Sequence, residues 1–66
     1  MTLYRFLTGP DDETFCKRVS QSLNNGWKLH GSPALTHDGK TAIAGQAMVK
    51  EVEGKDFSDD IDLKKY

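Results

Sequence analysis

The sequence predicts an α+β domain: a three-stranded, mainly antiparallel sheet built in the order β-α-β-β, with one helix packed on one face. Three observations predict it. Asp38-Gly39 lies between two runs of β-forming residues, and that pair favours a tight hairpin because both residues tolerate positive φ. A short run of aromatics and leucines, Leu3 to Leu7, is stopped by Gly9-Pro10. Between that run and the hairpin, apolar residues recur at helical spacing.

The first strand covers Leu3 to Leu7. Leu3, Arg5 and Leu7 share one face, and Tyr4, Phe6 and Thr8 the other. Neither face is cleanly polar, as in a strand covered on both sides or covered on one side by a second copy. A helix follows over roughly Pro10 to Asn24. Pro10 suits the first helical position, with Thr8 or Gly9 as the cap. Asp11, Asp12 and Glu13 then meet the positive end of the helix dipole. Phe15, Cys16, Val19, Ser22 and Leu23 form one stripe, while Lys17, Arg18 and Gln21 face away. Asn24-Asn25-Gly26 ends the helix, with Asn25 or Gly26 in the left-handed conformation.

The second strand begins at Trp27 and is interrupted at Ser32-Pro33, which marks an edge strand or a bulge because proline cannot donate to a ladder. After a two-residue turn at Asp38-Gly39, the third strand runs from about Thr41 to Lys50. Its Ile43, Gly45, Ala47 and Val49 line one face, and Ala42, Ala44, Gln46 and Met48 the other. Both rows are mostly small or apolar, which places this strand in the centre, antiparallel to its neighbours. Residues 1–52 form the domain. Residues 53–66 form an acidic tail, either flexible or weakly helical from Ser58, or folded back through Phe57 and Ile61 onto the open sheet face.

Size bounds the function. A chain this short buries only about 60% of the surface it exposes when unfolded, so its core is thin. A lone cysteine, Cys16, allows no disulfide within the chain and suits a reducing compartment. Cys16, His30 and His37 do not make a zinc ligand set. Oligomerisation is the remaining aid to stability. The first residues lack the apolar run of a signal peptide, and no segment has the apolar length of a membrane span. The expectation is a soluble, cytoplasmic chain. Residues 1–50 hold six basic against four acidic residues, and residues 51–66 three against six. That is a weak basic footprint for a nucleic-acid binder.

LYRFLTGPDD at 3–12, GWKLHGSP at 26–33 and IAGQAMVKE at 43–51 resemble a small bacterial family catalogued as domain of unknown function 1737. The resemblance covers residue 3 to about residue 52. Gly9, Pro10, Gly26, Trp27, His30, Gly31, Ser32, Pro33, Gly45 and Gln46 match its pattern. It implies a short bacterial domain, often standing alone, with no assigned activity. It carries no catalytic, metal or cofactor residue onto this chain.

One helix covers one face of three strands, so the opposite face is left apolar and open. Tyr4, Phe6, Ala44 and Met48 are the residues expected there, and a sheet-on-sheet homodimer would bury them. The leading reading is therefore a non-catalytic, self-associating interaction module that docks a second bacterial protein in its turn. The alternative is weak single-stranded nucleic-acid binding, with Tyr4, Phe6 and Trp27 stacking on bases beside Arg5, Lys28 and Lys50. A third reading is a small-ligand or catalytic site around His30, in a polar group with Ser32 and Gln46; Gln46 faces the bulge across the hairpin. Cys16 with His30 is a weaker nucleophile–base pair, since a thiol on the apolar stripe reads as buried and structural. No metal or cofactor is expected.

Overall fold

The computed structural model describes all 66 residues. Strand β1 spans Thr2–Pro10, helix α1 Glu13–Asn24, β2 Lys28–His37 and β3 Ala42–Glu51, and a 3-10 turn covers Leu63–Lys65. The sheet order is β1-β3-β2, with β3 antiparallel to both neighbours. The central position of β3 follows from its two apolar rows. β1 and β2 run parallel to each other on either side of it, so the chain between them must cross a face of the sheet, and α1 makes that crossing.

The helix starts three residues later than its sequence pattern suggests. Pro10 is the last residue of β1, paired with Ile43, and Asp11 N–H donates to the Ala42 carbonyl at 3.0 Å. Proline costs no ladder bond on an edge strand. The cap is Asp12, in extended conformation, whose carboxylate accepts from Phe15 N–H at 3.2 Å. The far end is as read: Asn25 N–H bonds back to Gln21 and Ser22, and Gly26 takes φ +94°. Trp27 N–H then donates to the Ser22 carbonyl at 3.0 Å, which holds the strand entry against the helix end.

The hairpin differs from a two-residue turn in two compensating ways. His37 pairs with Ala42, so Asp38 to Thr41 form a four-residue loop. The Asp38 carboxylate accepts from Lys40 and Thr41 N–H at 2.9 and 2.8 Å, and Gly39 has φ +98°. Further along, His30 pairs with Ala47 and Ala34 with Gly45, so β2 carries two more residues than β3 over that interval. Two extra residues preserve side-chain parity, where one would have inverted the strand. Leu29 and Leu35 therefore face the same side, opposite Met48 and Ala44.

The core is small. Leu3, Leu7, Trp27 and Met48 form its buried centre, with Phe15 and Val19 of α1 packed on it. Ile61, Leu63 and Tyr66 of the tail pack on the same cluster, so the tail folds back over the helix side of the sheet and not over the open face. Phe57 remains exposed. Cys16, expected inside, is exposed on α1: the helix stripe is wider than the surface that three strands offer it. The hairpin end projects beyond the helix, and Leu35 is 66% exposed there. The radius of gyration is accordingly 13.2 Å, against about 11 Å for a compact chain of this length. No helix is long and apolar enough to cross a membrane.

Candidate functional site

The register assigns every side chain of β1 and β3 to a face. Leu3, Arg5 and Leu7 lie opposite Lys50, Met48 and Gln46 on the helix side. Tyr4, Phe6, Thr8 and Pro10 lie opposite Val49, Ala47, Gly45 and Ile43 on the other. From β2, Lys28 and His30 join that second face beside Val49 and Ala47. Tyr4 and Phe6 are 55% and 52% exposed. The tip of the Phe6 ring lies over Gly45, where a Cβ would come within 2.6 Å of Phe6 Cζ.

This geometry corrects the grouping of the four surface residues expected from sequence. Tyr4 and Phe6 are on the open face, whereas Ala44 and Met48 are buried on the covered one, Met48 completely. Their place on the open face is taken by Ile43, Ala47 and Val49. Alternation gives each strand two rows but does not say which row of β1 adjoins which row of β3; the pairing register decides that. The centre of the open face, between Tyr4, Phe6, Ile43, Ala47 and Val49, carries no carboxylate, ammonium or guanidinium group, and His30 lies beside Ala47. Lys28 and Glu51 lie at one end of it.

Gln46 fills the bulge. Its side chain is buried, and its Nε2 donates to the carbonyls of Ala47 at 2.9 Å and of His30 and Gly31 at 3.4 Å each. Residues 31–33 have no ladder partner, so this amide replaces the missing cross-strand donors. Gly31 takes φ +71° to make the turn. Gln46 thus meets His30 through its backbone, not its imidazole. The His30 and Ser32 side chains are exposed. No group of three or more His, Cys, Asp or Glu residues gathers anywhere. Cys16 stands on α1, across the sheet from the face that carries His30, so the two do not form a pair.

The aromatic platform required for base stacking is divided. Tyr4 and Phe6 are on the open face, while Trp27 is buried on the other side. Arg5 lies over the Trp27 ring at 5.7 Å, and Lys50 Nζ donates to the Asn25 carbonyl at 2.7 Å, both on the helix side. Of the basic residues read beside those aromatics, Lys28 alone shares a face with Tyr4 and Phe6.

A second concave feature lies where β1, the end of α1 and the tail meet. Arg5, Arg18 and Lys64 line it with Trp27, Gln21 and Ser22, around a cavity of about 170 Å³. Sequence reasoning missed it, because Arg18 reads as solvent-facing and Lys64 as part of a loose tail. The legible signal was Arg5, a charge on the same strand row as Leu3 and Leu7.

The family model described as Domain of unknown function (DUF1737) matches residues 1–51. No curated protein and no solved structure matches the chain.

Proposed function

The chain belongs to the family of domain of unknown function 1737, and from that premise we propose that it is a non-catalytic, self-associating interaction module of the bacterial cytoplasm. The observation that carries this reading is the open sheet face: two aromatic side chains, each about half exposed, set among Ile43, Ala47 and Val49 with no element over them. A contiguous apolar surface of that kind marks an interaction site. A second copy fits it because the centre is mainly apolar and holds no carboxylate, ammonium or guanidinium group that asks for an opposite charge. Edge-to-edge pairing through β2 is disfavoured, since its outer edge carries the bulge and Pro33. The two open faces meet instead, about a two-fold axis.

Strands about 4.8 Å apart, each rising about 3.3 Å per residue, give such a face an area on the order of 450 Å². A dimer would bury on the order of 900 Å² in total, at the low end for a specific interface. An interface of that size suits a weak, exchangeable association and leaves room for a second bacterial protein. Sedimentation of the full chain from micromolar to millimolar concentration tests the reading. The expected result is a monomer–dimer equilibrium that Tyr4→Lys shifts to monomer without changing the circular dichroism. A monomer at every concentration would overturn it.

A further inference from the structure

We propose that the cleft between β1, the C-terminal half of α1 and the tail binds a phosphoryl group, either inorganic phosphate or the head of a small phosphate monoester. Three cations from distant parts of the chain converge there: Arg5 on β1, Arg18 on α1 and Lys64 on the terminal turn. No acidic side chain lines the cleft. The molecule's one ion pair is Lys17 with Glu13 at 3.3 Å, on the exposed surface of α1, so none of the three pairs with a side-chain carboxylate. The one negative group at the cleft is the terminal carboxylate of Tyr66, to which the Trp27 indole donates, so three cations against it leave the cleft net positive and favour a further anion.

Two of the cations are held in place. Arg18 Nη1 donates to the Thr8 carbonyl at 2.6 Å, which fixes the guanidinium and leaves its other N–H groups free. Arg5 lies over the buried Trp27 ring, 5.7 Å from its centre. Planar guanidinium forks match the oxygens of a phosphoryl group, and a lysine adds a compact point charge. The Asp62 carboxylate, beside Lys64 in sequence, is engaged by Lys64 N–H at 3.0 Å and does not reach its ammonium. Gln21 and Ser22 supply polar side chains at the wall. The cavity, about 170 Å³, is roughly ten times the about 10–15 Å³ that one water needs in the same measure. It admits a tetrahedral anion and leaves the remainder of a monoester outside. The third cation lies beyond residue 51, where the family match ends, so the site depends on the tail.

Trp27 is the one tryptophan, and its indole N–H donates to the Tyr66 main-chain oxygen at the edge of this cleft, so a single indole resonance reports on it. The test is titration of the full chain with sodium phosphate and with glycerol 3-phosphate, against sodium chloride and acetate at matched ionic strength, followed through that resonance. The expected result is a saturable shift with the phosphates and none with the controls. Arg18→Gln and Lys64→Gln should each weaken binding about tenfold, with circular dichroism unchanged. Tighter binding of the ester would identify a metabolite head group, and equal binding the free anion. A shift that does not saturate, that chloride reproduces, or that survives Lys64→Gln unchanged would overturn the proposal. The Lys64 variant decides the matter should Arg18→Gln unfold.

Discussion

The Trp27 indole nitrogen donates to the main-chain oxygen of Tyr66 at 3.2 Å, and this bond ties the last residue to the centre of the core. The Tyr66 ring lies near two ammonium groups, with Lys50 and Lys55 5.9 and 5.8 Å from its centre. Ile61 and Leu63 pack on the same cluster. The acidic tail thus completes a core that three strands and twelve helical residues leave open.

Trp27→Phe removes the indole donor and part of a buried ring. It should lower stability by about 1–3 kcal/mol, seen as a lower midpoint in urea. Tyr66→Ala keeps the main-chain oxygen but uncovers the indole. It should move the single-tryptophan emission to longer wavelength in the folded protein, and an unchanged spectrum would show that the tail does not cover Trp27.

Gly45→Ala places a methyl where the Phe6 ring lies, at 2.6 Å from Cζ. The ring must swing away from β3, costing about 1–3 kcal/mol. In the Phe6→Ala background the same change should cost much less, because the clash is gone. A double-mutant cycle read by thermal melting checks this, and simple additivity would mean that the ring does not rest on Gly45.

Gln46→Ala leaves three carbonyls near the bulge without their amide donor and should cost about 1–3 kcal/mol. Gln46→Glu puts a carboxylate among those carbonyls, where only the protonated acid can donate. Its folded-state pKa is then raised above the unfolded value. The variant should be weakest at neutral pH and recover as pH falls through the raised pKa, the reverse of ordinary acid unfolding. Urea midpoints measured across that range test the sign.

The Asp38 carboxyl is held below its ordinary value by hydrogen bonds from Thr41 N–H and then Lys40 N–H. A depressed folded-state pKa adds stability above the unfolded value, and this is lost as pH falls through the folded one. Asp38→Asn should remove that part of the acid limb. Because the group is exposed, the effect is small and is best read from the titration of Asp38 by nuclear magnetic resonance, which should show a midpoint below that of a model aspartate.

Much of the architecture is legible in local pattern. Asp38-Gly39 marks the hairpin, and the helical recurrence of Phe15, Val19 and Ser22 marks the crossover. The two apolar rows of Ile43 to Val49 place that strand in the middle. Local competition obscured the helix start: Pro10 can open a helix or end a strand, and the Asp12 cap together with the Ile43 pairing selects the second. The candidate sites were less legible. Tyr4 and Phe6 stand out as a row, but their neighbours depend on register, and register here depends on a bulge and a loop that cancel each other.

By itself the sequence determined what each residue can do locally: where the backbone must turn, which positions alternate, which side chains are apolar, and that one helix cannot cover both faces of three strands. Those properties act over a few residues and are written in the order of the chain. Only the tertiary structure decided which rows became neighbours, that Met48 and Ala44 are inside while Ile43 and Val49 are outside, that Gln46 repairs the bulge, and that Arg5, Arg18 and Lys64 share one cleft with Tyr66. These are contacts between distant residues. They follow from closing the whole chain around one small core, where each pairing restricts the next and no local stretch carries the answer.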